Sequence, residues 1–254
     1  MTTPGSCPAT TAATHPPMCA ASAAGRSPPN LPLLSRLCVS LLLGRQTPKM
    51  SQFYFRAGGS QKMVRPRLVL FGDSITEQSF RPGGWGAALA DTYSRKADVV
   101  VRGYGGYNTR WALFLVHHIF PLDCSNSMVI VLITPPPIDE EGRERFARSL
   151  YGQNARKLPE RTNEMAGVYA GYCVELAREM CIPCVNIWSK MQETEGWQKL
   201  YLSDGLHLTQ EGNAVVHKEV VEALRNAGFK AEQMPYDFPH HSKIDGSCPE
   251  KAFQ

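Results

Sequence analysis

Four short apolar runs, each stopped by glycine or proline or set beside helical sequence, constrain this chain more than anything else in it. Arg67-Leu-Val-Leu-Phe71 runs into Gly72-Asp73-Ser74-Ile75, and Asp98-Val-Val-Val101 ends at a glycine turn, Gly103 to Gly106. Met128-Val-Ile-Val-Leu-Ile133 is halted by Pro135-Pro136-Pro137, and Cys184 to Trp188 is the fourth run. Runs this short and apolar read as buried strands. Helices are expected over Trp85 to Tyr93, Thr109 to His118 and residues 162–180. The last places Met165, Val168, Tyr169, Tyr172, Leu176 and Met180 on one face. A final helix is opened by the N-cap candidate Thr209 and closed near Gly228, with Val220, Val221 and Leu224 turned inward. Strands alternating with helices specify an α/β fold: a parallel sheet with helices on both faces and a ligand site at the carboxyl ends of its strands.

Ser74 stands where the first of these strands gives way to a helix. Free N–H groups and the positive end of the helix dipole favour an anionic oxygen there, which suits a nucleophile. A serine nucleophile also needs a base. Ser203-Asp204-Gly205-Leu206-His207 supplies a histidine three residues after an aspartate that can hold its tautomer. Each half alone is commonplace, as a turn in one case and a cap beside a surface histidine in the other. Thr76 stands where a Gly-x-Ser-x-Gly elbow requires glycine, so that elbow is absent. Asp73 reads as a cap for the Ser74 helix, and Trp85 reads as a core aromatic rather than an acyl-pocket wall. The charged segment Asp139 to Tyr151 reads as a solvated loop rather than a specificity lid, and His117-His118 as surface.

Taken together, Phe71-Gly-Asp-Ser-Ile-Thr-Glu-Gln-Ser-Phe80, Arg102-Gly-Tyr-Gly-Gly-Tyr-Asn108, Leu132-Ile-Thr-Pro-Pro-Pro-Ile138 and Ser203-Asp-Gly-Leu-His207 resemble the SGNH (GDSL) hydrolases. Within that family the chain is most similar to plant GDSL esterases of the isoamyl acetate-hydrolysing type, from Val64 onward. The resemblance implies a three-layer, flavodoxin-like α/β fold and a metal-independent esterase without a cofactor, acting on small acetyl or short-acyl esters. It also implies roles: Ser74 attacks the ester carbonyl, His207 takes and returns the proton, and Asp204 orients His207. The backbone N–H groups of Ser74 and Gly106 hold the oxyanion. Gly105 is the alternative second donor, but Gly106 aligns better with the family's glycine.

The family's third oxyanion donor, an asparagine in a Gly-x-Asn-Asp block at the end of a central strand, has no counterpart here. After the Thr109 helix, Ile119-Phe-Pro-Leu-Asp-Cys-Ser-Asn-Ser127 leads directly into the Met128 strand. A strand with its crossover needs roughly 30 residues, and this connection is shorter than ten, so a sheet one strand short is expected. Asn108 and Asn126 are the nearest asparagines, and both read as turn or cap residues. A truncated, catalytically crippled form is therefore the competing reading. A flavodoxin-like nucleotide binder is disfavoured, because Gly103-Tyr-Gly-Gly-Tyr107 lacks the Gly-x-Gly-x-x-Gly spacing.

Residues 1–72 carry eight Lys or Arg and no acid, leaving residues 73–254 with 19 basic against 23 acidic residues, a net −4. The chain's overall +4 thus lies in its leader, which argues against a nucleic-acid surface on the body. Residues 1–62 are expected to be a disordered leader outside a domain spanning 63–254. Lack of acids with scattered arginines fits a transit peptide, and Met50 and Met63 equally fit an upstream extension. The expected location is cytoplasm or plastid, with no clear secretory signal. Leu31 to Leu43 is apolar but interrupted by Arg36 and is too short to span a membrane, which takes ~20 residues. Cys181-Ile-Pro-Cys184 ends a helix and enters a strand, the reverse of a thioredoxin-type pair, and no second pair stands at zinc-ligand spacing. The expected partner is a small ester. The oligomeric state is not legible.

Overall fold

The computed structural model describes residues 65–120, 128–155 and 161–253, together with the backbone of the strands Ser40–Arg45, Tyr54–Ala57 and Ser60–Met63. In chain order the strand Ser40–Arg45 (β1) comes first, followed by a separate antiparallel pair, Tyr54–Ala57 (β2) and Ser60–Met63 (β3). Then come Arg67–Gly72 (β4), Ser74–Glu77 (α1), Trp85–Thr92 (α2), Asp98–Gly103 (β5) and Thr109–Ile119 (α3). Met128–Ile133 (β6), Glu140–Tyr151 (α4), Asn163–Glu179 (α5), Cys184–Val185 (β7) and Ile187–Gln192 (α6) follow. Trp197–Tyr201 (α7) and Gln210–Asn226 (α8) complete the list. All of these elements belong to one unit, Leu31–Gln254.

The main sheet has the order β5-β4-β1-β6-β7. β4 and β5 run parallel from Arg67↔Asp98 to Gly72↔Gly103, and β6 and β7 run parallel at Leu132↔Cys184 and Ile133↔Val185. The four strands expected from the sequence are thus present as two parallel pairs. Between the pairs lies β1, antiparallel to both, with Leu41 opposite Phe71 on one side and Leu132 on the other. The expectation that residues 1–62 stay outside the domain therefore does not hold for Ser40–Arg45. The physical reason is the demand of the neighbours. With no intervening strand, β4 and β6 would each present a row of unpaired backbone N–H and C=O groups, which must find partners. Ser40-Leu-Leu-Leu-Gly-Arg45 carries no acid and no proline to prevent it from pairing on both sides.

One buried cluster joins the sheet to its helices: Leu68, Leu70, Val131 and Ile133 from the strands, Trp85 and Leu89 from α2, and Val216, Val220 and Leu224 from α8. Tyr93, fully buried after α2, donates its hydroxyl to Phe229 O at 2.6 Å. That bond ties the two helix ends together, and burial pushes the phenol up to about 12. Trp85 belongs to this core, as its position at a helix start implies, and Val221 packs at its edge.

Two local expectations are corrected. On α5 the buried residues are Ala166, Ala170, Cys173 and Ala177, whereas Met165, Val168, Tyr172, Leu176 and Met180 are exposed. The helix lies too close to its neighbours for large side chains: a Cβ on Gly167 would stand 2.7 Å from the Trp188 ring. The strand expected to reach Trp188 stops at Val185. Asn186 Oδ1 accepts from Ser189 N at 3.0 Å and starts α6 instead.

A pH dependence is built into the contact between α2 and α8. Thr92 Oγ1 donates to Ala88 O and lies 2.9 Å from His217 Nε2, so it accepts the ring's N–H. Burial holds the His217 pKa below its ordinary value, against an opposing pull from Asp91. The unfolded chain then binds a proton that the folded chain refuses. The contribution of His217 to stability is complete above the ordinary histidine range, about pH 6.5, and is lost as pH falls from there through the depressed value. Urea melts between about pH 7 and 5 should show a shallower loss of stability for His217→Gln than for the parent. Equal slopes for the two proteins would rule this origin out.

Candidate active site

β4 ends at Gly72, and Asp73 closes the turn. Its Oδ1 accepts from Ile75 N at 3.0 Å and its carbonyl accepts from Glu77 N at 2.8 Å, the capping role expected of it. Ser74 becomes the first residue of α1, half-buried at the carboxyl edge of the sheet. The neighbouring strand ends in step: Tyr104 N donates to Gly72 O, and Gly103 lies so close under α1 that a Cβ there would stand 2.0 Å from Glu77 N. Only glycine permits that approach.

At the other side of the site, Thr209 caps α8 by accepting from Gly212 N at 3.0 Å, and Leu202 bridges to Leu208. These contacts pinch residues 203–207 into a loop, with Ser203 N donating to His207 O at 2.8 Å. Within the loop Asp204 Oδ1 accepts from Leu206 N and His207 N at 3.0 and 2.8 Å. Oδ2 lies 2.8 Å from His207 Nδ1, and His207 Nε2 lies 3.0 Å from Ser74 Oγ, across 133 residues of sequence. Burial raises the Asp204 carboxyl, but hydrogen bonds from the His207 ring and backbone outweigh it and hold the group well below the usual carboxylate range. An ionised carboxylate on Nδ1 leaves Nε2 free to accept the serine proton.

On the turn after β5, Gly105 N donates to Glu77 Oε2 at 2.6 Å, so that N–H is already engaged. Gly106 has φ +77° and faces open space. Of the two glycines weighed as second oxyanion donor, Gly106 is thus the one without an acceptor among the described residues. Asn108 Oδ1 accepts from Trp111 N at 3.0 Å and caps α3, and His117 and His118 are exposed on that helix. Asn126 and the junction at residues 121–127 lie outside the described residues.

Two features of the site were not read from the sequence. Glu77, which fixes the Gly105 turn, is one. The other is the segment after the triple proline, which is the helix α4 rather than a solvated loop, and its first turn packs on the His207 loop. Asp139 N donates to Gly205 O at 3.0 Å. Gly205, at φ +80°, would put a Cβ 2.4 Å from Asp139 O, and one on Gly142 would meet Asp139 Oδ2 at 2.5 Å. From the next position Arg143 Nη1 reaches Asp204 Oδ2 at 3.0 Å, with both side chains largely buried. The glycine in Asp204-Gly-Leu-His207 was the available signal, since it marks a close backbone approach.

A cleft of about 220 Å³ opens beside His207, lined among others by Ile75, Gln78, Arg81, Gln210 and Asn213. Among the described residues no cluster of three His, Cys, Asp or Glu is placed to hold a metal, and no helix is long and apolar enough to cross a membrane. Cys173, Cys184 and Cys248 are free thiols.

Residues 68–118 and 115–220 match the protein-family model described as GDSL-like Lipase/Acylhydrolase. A GDSL esterase/lipase of Arabidopsis thaliana is 57% identical over 238 positions, covering 75% of this chain and 98% of the relative. A second Arabidopsis thaliana GDSL esterase/lipase is 42% identical, with 75% and 99% covered. The isoamyl acetate-hydrolyzing esterase 1 homolog of Mus musculus is 30% identical, with 77% and 94% covered. Three quarters of 254 residues is about 190, so 238 aligned positions leave about 48 of the first relative without a residue of this chain opposite them.

Proposed function

The chain belongs to the GDSL-like lipase/acylhydrolase family and is by that membership a carboxylic-ester hydrolase, and we propose that it is a serine esterase for small acyl esters, working through Ser74, His207 and Asp204. The observation that carries this reading is the unbroken line from Ser74 Oγ through both nitrogens of His207 to Asp204, at 3.0 and 2.8 Å. Ser74 Oγ attacks the ester carbonyl as His207 Nε2 takes its proton. Asp204 stabilises the imidazolium that forms. The tetrahedral oxyanion is held by the N–H groups of Ser74 and Gly106. Collapse expels the alcohol, which receives the proton from His207. Water, deprotonated by the same nitrogen, then frees the acid and Ser74. The modest cleft beside His207 and the similarity to an isoamyl acetate-hydrolyzing esterase homolog support acetyl and short-acyl esters as substrates.

A second reading is supported by the roughly 48 unmatched positions of that relative: a shortened form with crippled catalysis that retains only binding. The two readings part on p-nitrophenyl acetate. The parent should hydrolyse it well above a Ser74→Ala control, and His207→Ala should fall to the level of that control. If all three proteins turn over at the same rate, the shortened, non-catalytic reading stands.

A further inference from the structure

The Asp204 carboxylate makes one contact that the triad does not require. Oδ2, the oxygen that meets His207 Nδ1, also receives Arg143 Nη1 at 3.0 Å, and the same nitrogen lies 3.4 Å from Asp204 O. The partners are 61 residues apart and both side chains are mostly shielded, at 18% and 11% exposure, so this is not a solvent-screened surface pair. The backbone is shaped for it. The glycines at 142 and 205 allow the first turn of α4 to lie directly on the Asp204 loop, and the guanidinium sits over the Phe146 ring at 5.3 Å, which fixes its direction.

Building on the triad reading, we propose that Arg143 is a positioning residue of the site, a cation on the shared oxygen that anchors the Asp204 carboxylate against His207 Nδ1. A guanidinium held on Oδ2 keeps the carboxylate from turning away from the ring, so the imidazole keeps the orientation and tautomer that present Nε2 to Ser74. The contact also makes α4 part of the catalytic scaffold: a shift of its first turn moves Asp204. Arg81 lies at the cleft beside His207, and Asp73 is engaged as a cap. Asp139 is paired with Arg145 at 3.5 Å, and the neutral Gln210 and Asn213 of α8 line the same cleft.

The test compares the parent with Arg143→Gln, Arg143→Met and Arg143→Lys. The Nδ1–H resonance of His207, assigned against His207→Ala, is followed by NMR beside kcat and KM for p-nitrophenyl acetate. In either uncharged variant that resonance should lose the downfield position of a proton held by the carboxylate, and kcat should fall about 10- to 100-fold. KM should stay put. The lysine variant should restore most of the parent's behaviour. A melting curve for each variant identifies those that fold, and one folded uncharged variant is enough. If that variant keeps the parent's Nδ1–H resonance and kcat, or if Lys and Gln behave alike, Arg143 does not act on the triad. Should the parent show no Ser74-dependent hydrolysis, the NMR signal still decides the role of Arg143, and only the esterase reading is lost.

Discussion

Removing residues 1–63 is expected to abolish folding, whereas removing residues 1–30 should leave the melting temperature unchanged. The difference lies in β1. Four of its residues, Leu41 to Gly44, pair with Leu68 to Phe71 of β4, and all six pair with β6. It is the central member of a five-stranded sheet, and no other described strand joins β4 to β6. Its loss would strip hydrogen-bond partners from two interior strands whose residues Leu68, Leu70, Val131 and Ile133 build the core. Net stability of a domain is only ~5–15 kcal/mol, and each unsatisfied buried backbone group costs about 1–3 kcal/mol, so a few lost partners exceed what is available. Circular dichroism and thermal melts of the two truncations decide the matter. A cooperative melt of the 64–254 fragment at the parent's temperature would mean that the slot closes without β1.

How far the sequence could be read depended on whether the information was local. β4, β5 and β6 were legible because their apolar runs end at glycine or proline. Asp73, Asn108 and Thr209 were legible as caps because capping acts over two or three residues. Ser74 and His207 were legible as a pair only through the family resemblance, since nothing local to either implies a 3.0 Å contact across 133 residues. The buried face of α5 was misread for a definite reason. Periodicity identifies which residues share a face but not how closely the face is approached, and here Gly167 beside Trp188 selects the small residues. Arg143 was invisible because its partner lies 61 residues away and its neighbours read simply as a charged segment. The role of Ser40–Arg45 had no signature beyond three leucines in a row. A strand that pairs on both sides between β4 and β6 answers to its neighbours' hydrogen bonds, not to a pattern of its own.

Placing a strand-Gly-x-Asn-Asp-helix segment between Asp123 and Ser125 should raise kcat toward small acyl esters by ~10²–10³, the usual worth of one oxyanion donor. As the chain stands, the proposed hole rests on the N–H groups of Ser74 and Gly106. Gly105 N is held by Glu77, and Asn108 is occupied as the cap of α3. An asparagine at the carboxyl end of a new parallel strand between β4 and β6 would enter level with Gly72 and Ile133, the edge at which Ser74 stands. That strand and β1 compete for one slot. The new one carries its own crossover helix and runs parallel to both neighbours, so it should displace Ser40–Arg45. The restored protein should therefore melt higher and also tolerate removal of residues 1–63, the truncation expected to unfold the shorter chain. Kinetics with p-nitrophenyl acetate and melts of the four proteins, with and without the segment and with and without residues 1–63, measure the two effects separately. If the restored and shorter chains agree in kcat, the missing asparagine was never limiting. If the truncation harms both equally, β1 does more than fill a vacant place.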